Sequence, residues 1–410
     1  MTSSDSVAPS APDADWLAAE CTRLWEFARG AVHPDGGFAW LDDHGQPELD
    51  RPVEAWITCR MTHVAALEVL QGNESARTEL DHGVRALREV LHDDEHGGWF
   101  SAVDAKTHTP VTGDKTAYEH AFVLLAAASA TAAGHPAGQA LLDDAREVFE
   151  THFWDDRDGL VVESWDRGWT TLEDYRGINA NMHSVEALLA VHEVTGDLAA
   201  RSHAARIVEH VVHGFARRND WHLPEHFTPD WTPLFDYNRD NPADPFRPYG
   251  VTIGHLLEWS RLALHLRTAL GDDAPDWLLD NAVSLFEQAV GDGWHADDAD
   301  GFVYTTDFDG VPVVRNRLHW VVAEGIATAW ALGRETGEQG YADWYAAWWA
   351  HAQRHLIDRE AGSWRHELDA SNQPASTVWA GKPDVYHAYQ AALLPSLAPS
   401  ASFAGALVRR

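Results

Sequence analysis

A histidine and a glutamate three residues apart, His255 and Glu258, offer the first candidate chemistry in this sequence. They lie near the start of an apolar helical pattern within 246–264, just after a loop that contains Arg247. Residues three apart share one face of a helix, so the imidazole and the carboxylate point in the same direction. An imidazole titrates near neutral pH and can take up and return protons. The pair therefore indicates an acid–base or binding site at the start of a buried helix.

Five further predicted helices carry polar or aromatic groups near their starts, at the same phase of the pattern. These groups are Trp56, Arg60 and His63; Tyr118 and His120; Asn179, Asn181 and His183; His319, Trp320 and Glu324; and Asp384, Tyr386 and His387. A single histidine at a helix start is more often structural than catalytic. Six such segments in succession favour one shared polar pocket at a common end of the helices.

Missing motifs narrow the chemistry of this pocket. The sequence has no G-x-S-x-G elbow, no phosphate-binding glycine loop and no dinucleotide fingerprint. It also has no H-E-x-x-H or comparable compact ligand set, so we predict neither a metal nor another cofactor. General acid–base catalysis by histidine on a neutral polyol fits the groups better. Two imidazoles across a sugar could open its ring and move a proton between adjacent carbons.

Turns that combine glycine with an aromatic or apolar residue recur along the chain and predict the architecture. Gly36-Gly37-Phe38 and Gly97-Gly98-Trp99 are 61 residues apart, and Gly159-Leu160 and a looser turn around Trp221-His222 follow at similar intervals. After a larger gap come Gly301-Phe302 and Gly362-Ser363-Trp364. Between the turns, dense apolar patterns such as 120–134, 183–196 and 324–337, which end in glycine, alternate with amphipathic patterns such as 205–218. Dense apolar patterns are typical of inner helices, and amphipathic patterns are typical of outer helices. A period of about 60 residues suits a pair of helices with a long loop.

The repeat predicts an all-α fold in which six helical hairpins close into an (α/α)6 barrel, with short β-hairpins in the loops. An open helical solenoid is the alternative. No linker interrupts the series, so we expect a single catalytic domain at 15–396. The Ser-, Pro- and Ala-rich ends predict a disordered N-terminal tail at 1–14 and a C-terminal tail at 397–410.

Composition limits the partners. The formal net charge is −34, which argues against binding to nucleic acid or to anionic membranes. No apolar run approaches the roughly 20 residues that span a bilayer, and the N-terminus lacks the features of a secretory signal. The two cysteines, Cys21 and Cys59, are too few for a disulfide framework, and their spacing does not match a metal site. We expect a cytoplasmic monomer or homodimer that acts on a small-molecule monosaccharide.

Four segments carry a family resemblance: WITCRM at 56–61, NANMHSVEA at 179–187, GHLLEW at 254–259 and DVYH at 384–387. In this order they resemble the N-acylglucosamine 2-epimerase superfamily, and within it the aldose–ketose isomerase branch. The likeness runs over nearly the whole chain. It implies a six-hairpin α/α barrel and the metal-independent interconversion of an aldose with its 2-ketose.

The resemblance also implies residue roles. His387 matches the base that moves a proton between C2 and C1 through a cis-enediolate, and His255 matches the group that assists ring opening, oriented by Glu258. Arg60 and His183 match positions that hold the sugar oxygens and stabilise the enediolate. Further expected substrate-binding residues are Tyr118, Asn179, Arg247, Trp320 and Glu324. We expect the loop at 219–250 to form a pocket wall because it delivers Arg247, and its possible role as a lid stays open.

Two prolines, Pro245 and Pro383, favour one substrate within this branch. By the resemblance, the sulfoquinovose isomerases have an arginine and a glutamine at these positions. A sulfonate needs a cationic or donor-rich cradle, which proline cannot supply, so the sequence favours mannose–fructose isomerisation. Sulfoquinovose isomerisation and 2-epimerisation are the alternatives. A glycoside hydrolase with Glu258 and Glu324 as its carboxylates, or a non-catalytic carbohydrate-binding protein, would leave the histidines without a role.

Overall fold

The computed structural model describes residues 11–409, which are mostly helical. Within that range the α-helices are α1 Ala14–Ala28, α2 Ala55–Leu70, α3 Arg77–Glu89, α4 Ala117–Ala132, α5 Gly138–Val148, α6 Ile178–Thr195, α7 Leu198–Val208, α8 Ile253–Leu270, α9 Trp277–Gly293, α10 His319–Thr336, α11 Gln339–His351, α12 Tyr386–Leu393 and α13 Phe403–Val408. The short strands are β1 Val53–Glu54, β2 Ala102–Val103, β3 Lys115–Thr116, β4 Trp154–Asp155, β5 Leu160–Val161, β6 Ser164–Trp165, β7 Arg176–Gly177, β8 His226–Phe227, β9 Val251–Thr252, β10 Thr305–Thr306, β11 Pro312–Val314, β12 Arg317–Leu318 and β13 Glu367–Leu368.

The helices form two concentric layers. The inner layer is a closed ring in which α2, α4, α6, α8, α10 and α12 each contact the next, and α12 contacts α2. The outer helices α3, α5, α7, α9 and α11 pack on the inner helices that precede them, and α1 packs on α12. The inner helices are apolar around most of their circumference; for example, α4 is buried over nearly all of its length. The predicted (α/α)6 barrel is confirmed.

Short strands join neighbouring repeats, which we number 1 to 6 by their inner helices. The strand before each of α2, α4, α6, α8 and α10 pairs antiparallel with a hairpin strand of the next repeat. Repeat 6 meets repeat 1 through Lys382 N–H, which donates to Leu41 O at 2.8 Å, and Trp40 Nε1–H, which donates to Ala380 O at 3.1 Å. A ring of hairpins therefore surrounds the end of the barrel where the inner helices begin.

Buried lysines tie two of these hairpins to the helix that follows. Lys115 Nζ lies 3.0 Å from Asp93 Oδ2 and 2.7 Å from Gly97 O, just before α4. Lys382 Nζ makes the same two contacts before α12, with Asp358 Oδ2 and with a glycine carbonyl. A buried ammonium needs such acceptors to offset its lost hydration. Each of these lysine staples fixes a hairpin against the start of an inner helix.

The C-terminal residues cover the opposite end of the barrel, where α13 contacts α2, α4 and α6. Phe403 and Leu407 are buried there. Glu193, near the end of α6, accepts hydrogen bonds from Ser400 Oγ and from the Ser402 backbone N–H. The expected disordered tail from residue 397 is therefore wrong for 403–408, because its apolar residues complete the core.

The predicted N-terminal tail at 1–14 falls largely on residues 1–10, which lie outside the described residues. Asp13 caps α1, accepting from Trp16 N–H at 2.8 Å, so order begins before the predicted domain start. Between residues 11 and 409 no helix combines the length and the apolar character needed to cross a membrane.

Candidate functional site

A pocket opens at the end of the barrel where the inner helices begin. It encloses an empty volume of ≈ 660 Å³, which includes its open mouth. Its lining contains eight of the ten predicted site residues: Arg60, Tyr118, Asn179, His183, His255, Glu258, Trp320 and His387. The other two, Arg247 and Glu324, lie behind this lining. The sequence thus brings groups from all six repeats to one place.

His387 is the second residue of α12, and the neighbouring inner helix holds its ring. Its Nδ1 lies 2.9 Å from Glu324 Oε1, and Glu324 Oε2 accepts from Arg261 Nε at 2.8 Å. A charged carboxylate only accepts hydrogen bonds, so Nδ1 carries the proton and Nε2 keeps the lone pair of the neutral ring. Burial lowers the pKa of His387 below its ordinary value, although Glu324 acts in the opposite direction. His387 is therefore a neutral base at neutral pH.

His255, near the start of α8, has the same arrangement with a different carboxylate. Its Nδ1 lies 3.0 Å from each oxygen of Glu225, a buried residue just before β8. The prediction that Glu258 orients His255 is wrong, because Glu258 lies one turn further along α8 and makes other contacts. Glu225 is on an irregular segment 30 residues upstream, where no periodic pattern could have indicated its role.

Glu258 and His183 form the floor of the pocket. Glu258 Oε1 lies 3.8 Å from His183 Nδ1 and 3.5 Å from Arg261 Nη2, and Glu258 is 1% exposed. Burial, followed by the charge of Glu324, raises the pKa of Glu258 well above its ordinary value. Burial also lowers the pKa of His183 to about 4. His183 is therefore neutral at neutral pH. Burial favours the protonated form of Glu258, which can donate a hydrogen bond.

At and behind this floor, two groups of side chains each place three possible metal-ligand atoms within 4.8 Å of one another: His183, Glu186 and Glu258, and Glu258, Glu324 and His387. Arg261 lies among these carboxylates. Burial tends to raise the pKa of Glu324, but Arg261 and His387 outweigh it and hold that pKa below its ordinary value. An arginine thus already supplies the positive charge that a cation would bring, which favours the prediction of a metal-free site.

Arg60 holds a positive charge on the pocket wall. Its Nη1 donates to Asp384 Oδ2 at 3.1 Å, and its Nη2 donates to the Tyr118 hydroxyl at 3.2 Å. The guanidinium carbon also lies 4.6 Å from the centroid of the Phe122 ring and 4.9 Å from that of Tyr386. These contacts fix the guanidinium, so it needs little reorganisation to face an anionic oxygen.

Trp320 contacts both catalytic candidates, with its ring centroid 5.4 Å from His255 and 5.8 Å from His387. A Cβ on Gly254 would lie 2.2 Å from this indole, which explains the glycine beside His255. Asn179 Oδ1 is buried and has no hydrogen-bond partner among residues 11–409. An unpaired buried acceptor is costly, so Asn179 is suited to bind a ligand hydroxyl.

Arg247 does not line the pocket. Its guanidinium forms two hydrogen bonds to Glu173, at 2.8 and 3.0 Å, and lies 4.0 Å from the centroid of the Tyr175 ring. The loop at 219–250 does form a pocket wall, as predicted, but through Pro245 and Phe246. Arg247 anchors that wall.

Some lining residues lie outside the predicted set, including Tyr304, His366 and Trp379. His366 stacks on His319 with the ring centroids 3.7 Å apart. Tyr304, His366 and Trp379 come from hairpins and loops. The argument from helix starts could not find them, because these segments have no helical pattern.

Together, the closed α/α barrel and the two carboxylate-held imidazoles in one pocket form a candidate acid–base site. The family model for N-acylglucosamine 2-epimerase matches residues 36–391. A D-mannose isomerase of Thermobifida fusca is 53% identical over 393 residues, which cover 96% of either chain. A D-mannose isomerase of Pseudomonas cannabina pv. alisalensis is 50% identical over 395 residues, covering 96% of this chain and 94% of the relative.

A solved structure of a D-mannose isomerase superposes with a TM-score of 0.87 at 29% identity, covering 95% of this chain and 100% of that one. The chain belongs to the N-acylglucosamine 2-epimerase family.

Proposed function

We propose that this enzyme interconverts D-mannose and D-fructose by acid–base catalysis without a metal. One observation carries the proposal: two imidazoles face the same pocket, and each has its Nδ1 held by a buried carboxylate. This arrangement fixes the tautomer and stabilises the imidazolium that forms during proton transfer. Two relatives that match nearly the whole chain at 53% and 50% identity are named D-mannose isomerases, which supports the choice of sugar.

His387 carries the carbon-bound proton in this mechanism. Its neutral Nε2 removes the proton from C2 of the open-chain aldose, and the electrons of that C–H bond form the C1–C2 double bond. Negative charge moves onto O1 and gives a cis-enediolate. The imidazolium, stabilised by Glu324, then returns the proton to C1 on the same face of the enediolate. A single base is sufficient for this same-face transfer.

The remaining groups act on the sugar oxygens. Arg60 stabilises the negative charge of the enediolate. His255, held by Glu225, opens the ring and moves the O2 proton to O1, so that C2 becomes the ketone and C1 a hydroxymethyl group. Glu258, whose pKa is raised by burial, donates a hydrogen bond to a substrate oxygen in its protonated form. His183 and Asn179 complete the binding of the hydroxyl groups.

The lining favours a neutral sugar over a sulfonated one. Pro245 and Pro383 both line the pocket, and neither can donate a hydrogen bond. A glycosidase mechanism is disfavoured because both oxygens of Glu324 are occupied, one by His387 and one by Arg261.

A substrate panel tests the proposal. We expect kcat/KM to be highest for the conversion of D-mannose to D-fructose. The values for the isomerisation of sulfoquinovose and for the epimerisation of N-acetylmannosamine or cellobiose should be lower. Chromatography of initial-rate samples separates these products. A preference for sulfoquinovose would mean that Pro245 and Pro383 do not decide the substrate. Glucose as the main product from mannose would show 2-epimerisation instead.

A further inference from the structure

An aromatic wall one side chain thick closes part of the pocket mouth. We propose that Phe246, clasped between Trp56 and Trp379, restricts this enzyme to single, unglycosylated sugars. We call these three residues the aromatic clasp. The inference rests on the proposed function for its reaction and goes beyond it by naming the residue that excludes larger substrates.

The clasp crosses the barrel mouth. The ring of Phe246 lies 5.4 Å from that of Trp379, 6.4 Å from that of Trp56 and 5.8 Å from that of Tyr118, between centroids. Trp56 and Trp379 also contact each other at 5.9 Å. Phe246 precedes the inner helix of repeat 4, whereas its partners belong to repeats 1, 2 and 6. In a ring of six repeats, repeat 4 lies opposite repeat 1, so these contacts span the opening.

The backbone on both sides of Phe246 is held in place. Asp244 Oδ1 accepts from the N–H groups of Phe246 and Arg247 at 3.0 and 2.8 Å. Asn238 Nδ2 donates to Arg247 O at 2.6 Å. Further on, Gly250 adopts φ +92°, and a Cβ there would lie 2.1 Å from Thr306 O. The loop therefore delivers the Phe246 ring to a defined position.

Phe246 has one face in the pocket lining and another in solvent, since 40% of its surface is exposed. Behind Trp379, the ring of Trp40 stacks at 6.1 Å and supports the far side of the clasp. A sugar whose C1 and C2 lie near His255 and His387 fits beneath this wall. A second sugar linked to it would have to occupy the position of the Phe246 ring.

Phe246→Ala tests the clasp, with D-mannose and with β-1,4- and α-1,6-linked mannobiose, which keep a free reducing end. We expect the unsubstituted enzyme to isomerise mannose and neither disaccharide. In the variant, kcat/KM for at least one mannobiose relative to mannose rises about tenfold or more above the detection limit measured with the unsubstituted enzyme, the scale of a steric effect in an apolar pocket. Phe235→Ala is the matched control: Phe235 is on the same loop and 43% exposed, but packs on Phe308 away from the pocket.

Two results would overturn the clasp. One is turnover of mannobiose by the unsubstituted enzyme, and the other is a Phe246→Ala enzyme that isomerises mannose but gains no disaccharide turnover. If Phe246→Ala fails to fold, Trp379→Ala removes the opposite side of the clasp and must give the same gain. Calorimetric binding of mannobiose separates this inference from the proposed function. Binding gained by the variant supports the clasp even where mannose is not isomerised.

Discussion

At the residue scale, the two catalytic candidates have the same geometry but obtain it from different parts of the chain. His387 takes its carboxylate, Glu324, from the neighbouring inner helix, whereas His255 takes Glu225 from an irregular loop. The His387–Glu324 contact therefore crosses a repeat boundary, whereas His255 and Glu225 belong to the same repeat. A carboxylate held by other donors is a better support than a mobile one, and Arg261 provides this for Glu324.

Replacing His387 separates catalysis from binding. We expect His387→Asn to lower kcat for mannose by about 10²–10⁴-fold, the range for loss of a general base. The dissociation constant for the sugar should change little, because Arg60, His183 and Asn179 remain. Rate assays and calorimetry on the same preparation measure both quantities. The control is His351→Phe, which replaces a buried histidine of the outer helix α11. Equal losses of rate and affinity would contradict the assignment.

The pH dependence follows from the environment of His387. Only the neutral ring accepts a proton, so kcat/KM falls as pH decreases through its pKa. Burial holds that pKa below the ordinary value of 6.5, so the midpoint of the acidic limb lies below pH 6.5. Glu324 raises this pKa, so Glu324→Gln moves the limb to still lower pH and lowers the plateau.

Glu335→Gln is the control for the loss of a negative charge alone. Glu335 also lies on α10 but pairs with Arg267, so this exchange should leave the acidic limb of the profile in place. A pH–rate profile of the three proteins measures these effects. An acidic limb centred above pH 6.5, or a shift to higher pH in Glu324→Gln, would exclude His387 as the base.

At the element scale, the apolar patterns locate the inner helices but begin later than the helices do. The pattern at 183–196 corresponds to α6, which begins at Ile178, and that at 324–337 corresponds to α10, which begins at His319. These first turns carry polar and aromatic groups that face the pocket, so the apolar pattern begins later than the helix. The ends were predicted closely, because Gly196 and Gly337 adopt the left-handed conformation that stops a helix.

The lysine staples should contribute measurably to stability. We expect Lys115→Met to lower the free energy of unfolding by about 3–5 kcal/mol, since it leaves Asp93 buried without one partner. Arg167 still pairs with Asp93, which places the effect toward the lower end. Urea titration measures it. Lys106→Met, which removes an exposed pair with Asp50, should have no measurable effect. Similar losses in both variants would show that the staple has no special role.

At the scale of the whole molecule, the recurrence of the glycine turns favoured a ring of six hairpins and left an open solenoid as the alternative. The contact that closes the ring was not predictable, because Trp40 and Ala380 are 340 residues apart and belong to irregular segments. Glu225, Phe246 and Trp379 were missed for the same reason: they come from loops whose positions depend on the closed barrel. Helical periodicity therefore predicts the scaffold and part of the pocket, and the loops complete the site.

The most direct test of the account is to incubate chelator-treated enzyme with D-mannose in deuterated water and to follow the products by NMR. Transfer through an enediolate places the proton on His387, where it can exchange with solvent. We predict that fructose forms without added metal, and that deuterium accumulates at C1 of fructose and C2 of mannose over repeated turnovers. Fructose that stays free of deuterium would indicate a hydride shift. A complete lack of fructose would contradict the proposed function itself.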